Sequence, residues 1–192
     1  MFRFAALLLI LATLSGCASI SREDCLEGDW AAIGERDGET GRASEAQFAR
    51  HVTACAKVEV TPERTLWEQG YARGLVTYCT PQTGLREGEA GRPYRNVCPV
   101  ATEARFLQGY ELGLSAHRQR ARIQEIGREI AQLQGLGSFL PRENLSEAEA
   151  AAAQRERQAN QSEIMLLRLD QSLARAQLLR IEREIRAFRA AL

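Results

Sequence analysis

The placement of cysteine constrains this chain more than any other feature. Five cysteines stand at positions 17, 25, 55, 79 and 98 of 192 residues, and none follows. With Cys17 set apart, four remain between residues 25 and 98, an even number that suits two disulfides in an oxidising compartment. The C-x-x-C spacing of structural zinc sites is absent, so no metal or other cofactor is expected. Residues 25–115 therefore read as a small disulfide-stapled domain, and residues 116–192 as something held together differently.

Cys17 is set apart by what precedes it. Ala5 to Leu14 is an apolar run with only Thr13 polar, after one positive charge at Arg3. That is the length and flanking of a signal-peptide core, too short to span a bilayer as a mature helix. Leu14-Ser15-Gly16-Cys17 resembles the lipobox of bacterial lipoproteins. The resemblance implies a signal peptide over 1–16, a tether over 17–24, and acyl chains on Cys17 that hold the protein to a membrane. One acyl chain alone anchors only marginally, whereas several make attachment permanent. Ala18 rather than Asp follows the cysteine, which by the same resemblance points to the outer membrane, facing the periplasm. After cleavage 24 basic residues face 25 acidic ones. That balance gives no electrostatic footprint for nucleic acid.

Within the stapled half, Trp30 and Ile33 share one face of a short helix that Gly34, Gly38 and Gly41 should break into turns. Ser44-Glu-Ala-Gln47 has the form of a capping box, placing a helix start at Ser44. Phe48, His51, Val52 and Cys55 then fall on one helical face. Thr61-Pro62 reads as an N-cap followed by a first helical residue. Trp67, Tyr71, Leu75 and Tyr78 form the next apolar stripe. Residues 80–97 carry three Gly and two Pro, so we read them as an ordered loop anchored by Tyr94 and Val97. The packing aromatics are Trp30, Trp67, Tyr71, Tyr78, Tyr94 and Tyr110. An internal echo links Trp67-Glu-Gln-Gly70-Tyr71-Ala-Arg-Gly74-Leu75 to Phe106-Leu-Gln-Gly109-Tyr110-Glu-Leu-Gly113-Leu114. Glycine in a helix costs roughly 1 kcal/mol relative to alanine, so four suggest a packing reason. The expectation is that these two helices cross each other at their glycines.

Cys25-Leu-x-Gly-Asp-Trp30-x-x-Ile-Gly34-x-x-Asp37-Gly38-x-x-Gly41, followed by Phe48-x-x-His51-x-x-x-Cys55, resembles a bacterial domain of unknown function, number 2799. Gly70-Tyr71-x-x-Gly74-Leu75-x-x-Tyr78-Cys79 and Gly91-x-x-Tyr94-x-x-Val97-Cys98-Pro99 extend the resemblance over about residues 25–114. It implies an exported, usually lipid-anchored protein with no assigned activity.

From Ala101 onward the pattern is helical. Ile123, Ile126, Ile130 and Leu133 step by three and four, as do Ile164, Leu167, Gln171, Ala174, Leu178, Ile181, Ile185, Phe188 and Leu192. Ser146-Glu-Ala-Glu149 is a capping box for the second run. The fold class is thus mainly α: a disulfide-stapled helical domain, then a long antiparallel, coiled-coil-like hairpin whose first helix begins near 102. The second helix is the longer, so its tail should fold back on the stapled domain or meet another copy.

Four cysteines allow three pairings. In an antiparallel pair of helices over about 44–57 and 62–79, Cys55 sits beside the turn and Cys79 at the far end, about 25 Å apart at 1.5 Å per residue. That disfavours Cys55–Cys79, and with it Cys25–Cys98. Of the two schemes left, Cys25–Cys55 with Cys79–Cys98 closes short sequential loops and staples the Gly-rich segment. Cys25–Cys79 with Cys55–Cys98 is the other, and the first is the preferred expectation.

No catalytic constellation is legible. His51 shares a face with Cys55, but a disulfide would remove the thiolate that a Cys-His pair needs. Asp29, Asp37, Glu68 and Glu111 lie near aromatic positions without forming a glycosidase pair. Asp29 is expected to cap a helix, and His51 to pack beside Trp67 or Tyr71. The sequence reads as a non-enzymatic envelope lipoprotein with a structural or interaction role. Its partners are the membrane and either an envelope protein or another copy, through the C-terminal helices. A cell-wall glycan hydrolase or binding module is the alternative.

Overall fold

The structure, a computed structural model, describes residues 20–139 and 146–192. The lipobox and Cys17 lie outside them. Among the described residues there are seven α-helices and no strand: α1 (Arg22–Glu27), α2 (Trp30–Glu39), α3 (Ser44–Cys55), α4 (Arg64–Tyr78), α5 (Pro81–Glu89), α6 (Val100–Phe139) and α7 (Glu147–Ala190). None of these helices is long and apolar enough to cross a membrane. The chain divides into two compact units. One holds residues 20–80 with Tyr94–Glu103, the other Pro81–Pro93 with the chain from Ala104 onward. This division separates Pro81–Pro93 from the cysteine-bearing residues with which the sequence argument grouped it.

In the first unit, Ser21 and Asp24 form a reciprocal capping box on α1, and Gly28 ends that helix in the left-handed region. Asp29 caps α2, its carboxylate accepting from the Ala32 N–H. Glycines 34 and 38 do not break α2, contrary to expectation; the helix runs through both. Helix α3 starts at Ser44 as read, but Ala43 is its N-cap and no side chain caps it. Helix α4 starts two residues beyond Pro62, with Glu63 as its cap. Cys25 pairs with Cys55 and Cys79 with Cys98, each with Cα atoms 5.5 Å apart. These are the pairings preferred from the sequence. Val52 proves 41% exposed, so the buried stripe of α3 is Gln47, Phe48, His51 and Cys55.

Helices α2 and α4 cross at four glycines. A Cβ on Gly34 or Gly38 would fall on the carbonyls of Trp67 and Tyr71, and one on Gly70 or Gly74 on those of Ala31 and Glu35. Only hydrogen at Cα lets the two backbones meet, which offsets the poor helix propensity of glycine. Beyond the crossing, Gly41 takes a positive φ of 61° and lies against the Tyr78 ring, where no side chain fits.

The second unit repeats this crossing. Residues 81–89, read above as loop, form α5, and its Gly84 and Gly88 meet the Phe106 and Tyr110 carbonyls of α6. Reciprocally, Gly109 and Gly113 of α6 meet Pro81 and Leu85. Gly91, at φ 67°, abuts the His117 ring as Gly41 abuts Tyr78. Tyr110 Oη donates to the Arg92 carbonyl as Tyr71 Oη does to that of Arg42. The two echoing glycine segments therefore do not cross each other. Each closes on its own short helix.

Helices α6 and α7 are antiparallel. Arg122 pairs with Asp170, Arg120 with Glu182, and Gln119 Nε2 donates to the Ala174 carbonyl. Ile126, Ala174 and Ile185 are buried in the seam, while Leu192 is 54% exposed and outside it. The tail of α7 folds back: Ile185 packs with Leu85 and Ala116, and Leu178, Ile181 and Phe188 pack against them. Ser146 and Glu149 form the reciprocal capping box that was read from the sequence.

Candidate functional site: a buried carboxylate and imidazole

Three helices of the first unit bring four polar side chains together. Asp37 of α2 is 8% exposed, Gln47 and His51 of α3 are 3% and 1% exposed, and Trp67 of α4 is 1% exposed. Asp37 lies one residue before Gly38, so the close α2–α4 approach delivers its carboxylate to the Trp67 indole. Gln47 and His51 stand one helical turn apart and reach the same carboxylate from the other side. Asp37 Oδ2 accepts from Trp67 Nε1 at 3.0 Å and lies 2.6 Å from His51 Nε2. Asp37 Oδ1 accepts from Gln47 Nε2 at 2.8 Å.

This geometry fixes the imidazole. Facing a carboxylate, Nε2 carries the proton, so in the neutral ring Nδ1 is a bare acceptor. Among the described residues, neither His51 Nδ1 nor Gln47 Oε1, both buried, has a protein hydrogen-bond partner. Buried polar atoms are normally paired, because leaving one unsatisfied costs about 1–3 kcal/mol.

Gln47 and His51 also line a cleft of about 400 Å³, with Ile33, Asp24, Arg36 and Arg42 among its other walls. Asp24 is held below the usual carboxylate range, chiefly by the Ser21 hydroxyl and also by Arg36 at 3.5 Å. The Arg42 guanidinium has no partner among the described residues. Tyr71 stacks on Trp67 with ring centroids 4.9 Å apart, and burial pushes its phenol up to about 12.

His51 lies within aromatic-edge distance of Trp67, at 6.4 Å between centroids. Cys55 is fully buried in its disulfide and offers no thiolate to His51. Asp29 caps α2, and Glu68 pairs with Arg64. Glu111 lies in the second unit, and none of these three joins Asp37. Trp30, Tyr78 and Trp67 are buried, whereas Tyr94 and Tyr110 are half-buried. The Tyr94 hydroxyl ties the Cys98 N–H to Glu103. Gln47 was named in the sequence only as a capping residue. Its position four residues before His51, on the face of Phe48 and Cys55, was the available signal. No group of three or more metal-ligating side chains occurs among the described residues.

Residues 29–115 match the family described as Protein of unknown function (DUF2799). Over those residues, a little under half of its length, the chain is similar to that family. Its matched segment contains both glycine crossings and all four members of the Asp37 cluster. No curated protein and no solved structure matches the chain significantly.

Proposed function

We infer that the protein is a non-enzymatic lipoprotein of the bacterial envelope, tethered through Cys17 and acting by contact through its C-terminal hairpin. The observation that carries this reading is a second apolar face on α7. Met165, Leu166, Leu169, Leu173 and Leu179 are 55–66% exposed, away from the seam toward α6. Patches of this kind on a soluble surface usually mark contact sites. The occupant that fits is a second copy, since a stripe along one straight helix is self-complementary about a two-fold axis. Two such stripes would bury roughly 1,000 Å² in total, near the lower edge for a specific interface. A shared membrane raises the effective concentration and favours such a weak contact.

Sedimentation of the full lipidated chain in detergent tests it. Concentration-dependent dimers that Leu169→Glu with Leu173→Glu abolishes are expected, and a monomer over the whole range would remove the reading. The glycan alternative gains no support from aromatic stacking, because Trp30 and Trp67 are 5% and 1% exposed.

A further inference from the structure

The tether at Cys17 is short. Ile20 stands three residues beyond it and is packed in the first unit at 8% exposure. Three residues span at most about 11 Å in any conformation. With Cys17 acylated, Ile20 is therefore held within about 11 Å of the anchored residue. The headgroup layer on each side of a bilayer is itself about 5–8 Å deep. However the first unit tilts about that pivot, the surface around Ile20 stays close to the headgroups. Lipid is the partner always within its reach.

Ile20 is also a wall of the 400 Å³ cleft, with Ser21, Asp24, Arg36, Thr40 and Arg42. Most of the polar groups there are already engaged. Asp24 accepts from the Ser21 hydroxyl at 2.7 Å and pairs with Arg36 at 3.5 Å. The Thr40 hydroxyl donates to the Asp37 carbonyl at 3.0 Å. Arg42 is the exception: it is exposed, and its guanidinium meets no partner among the described residues. Its backbone is fixed on both sides, the N–H donating to the Asp37 carbonyl and the carbonyl accepting from Tyr71 Oη. A guanidinium suits phosphate, which it can meet with two parallel N–H donors. Arg36 also borders a second cleft, but Glu27, Asp29, Glu35 and Glu39 line that one and repel phosphate. The charge thus favours the Ile20 cleft, the same one that the tether brings to the lipid.

We propose that the rim of the Ile20 cleft is the membrane-contact surface of the first unit, with the Arg42 guanidinium on the phosphate of a phospholipid headgroup. The buried Gln47 and His51 acceptors take no part in the contact. A cation kept near the headgroups by its tether meets them at high effective concentration, so one weak contact is enough to orient the unit.

Arginine footprinting of the full lipidated chain in nanodiscs tests this, with hydroxyphenylglyoxal adducts mapped by mass spectrometry. Phosphatidylcholine discs are compared with digalactosyldiacylglycerol discs; neither lipid carries net charge, and only the first carries phosphate. Arg42 should react about tenfold more slowly in phosphatidylcholine, the worth of one charge-assisted hydrogen bond. Arg73, on α4 and paired with Glu35, should react alike in both. Equal rates for Arg42 in the two discs overturn the proposal. So does equal slowing of Arg73, which would mean that the unit prefers no one face. Slowing of Arg42 by inorganic phosphate added to the galactolipid discs also overturns it, in favour of a site for a free anion. The proposal rests on the acylation of Cys17, and the intact mass of the same sample separates the two failures. An acylated chain with unprotected Arg42 refutes the contact alone, whereas an unmodified Cys17 removes the tether and the contact together.

Discussion

Gly34→Ala adds one methyl group, and its effect follows from where that methyl must go. The Cβ would fall well inside 3.0 Å of the Trp67 carbonyl, with the Tyr71 nitrogen also under 3.0 Å. Both are backbone atoms of a helix and cannot rotate away. Helices α2 and α4 would have to part by at least about 1 Å, loosening the contacts at Gly38, Gly70 and Gly74, in a class of change that costs about 1–3 kcal/mol. Alanine favours a helix over glycine by about 1 kcal/mol, so these two effects together leave a net loss of up to about 2 kcal/mol. The separation also pulls the Trp67 indole from Asp37, which adds the cost of a weakened buried hydrogen bond, about 1 kcal/mol. Gly135 supplies the opposite case, since a Cβ there meets nothing within 4 Å. Gly135→Ala should therefore stabilise α6 by up to about 1 kcal/mol. Urea unfolding followed by circular dichroism measures both, with the slope checking that the unfolded state is unchanged. A neutral or stabilising Gly34→Ala would refute the glycine crossing.

Tyr71 predicts an alkaline transition. Burial, with the Asp37 charge adding to it, raises the phenol to about 12, so folding favours the neutral form. The stabilisation is complete below the unfolded value of about 10 and falls as pH rises toward about 12, by at most about 3 kcal/mol. Tyr71→Phe should flatten that segment of the pH–stability curve, at a cost of about 1 kcal/mol at neutral pH for the lost Arg42 carbonyl bond; an unchanged curve contradicts it. Replacing Cys79 and Cys98 together by Ser should cost about 3 kcal/mol on the chain-entropy model. Non-reducing peptide mapping should recover 25–55 and 79–98 linkages, and any 55–79 peptide would disprove the α3–α4 arrangement. Asp37→Asn should lose about 2 kcal/mol in denaturant melts, because an amide cannot accept from Gln47, His51 and Trp67 at once. Full retention of stability would show that the cluster is not formed.

The long helices were legible because their apolar residues recur in steps of three and four over many turns, and because Ser146 and Glu149 announce a start. Disulfide pairing was legible in part: helix geometry disfavoured one scheme, and the short sequential loops chose between the other two. The glycines were misread at α2 and α5. Glycine is a poor helix former in isolation, and only the opposing backbone, a non-local fact, makes it necessary. A signal was present. Residues 34–42 and 84–92 both read Gly, then Arg, acid, Gly, Glu two, three, four and five positions on, and end in Gly-Arg. Aligning these as well as the later glycine segments would have exposed two complete crossings. The Asp37 cluster was hidden for another reason. Its members are 10, 14 and 30 residues apart, and no short motif records a meeting set by helix packing.

The account rests on a tethered protein that matures in an oxidising compartment, and one intact-mass measurement on the protein from native membranes tests both parts. It predicts a chain that begins at Cys17, carries the added mass of its acyl groups, and lacks four hydrogens for two disulfides. A mass that begins at Met1, without acyl groups and with free thiols at Cys25, Cys55, Cys79 and Cys98, would contradict it.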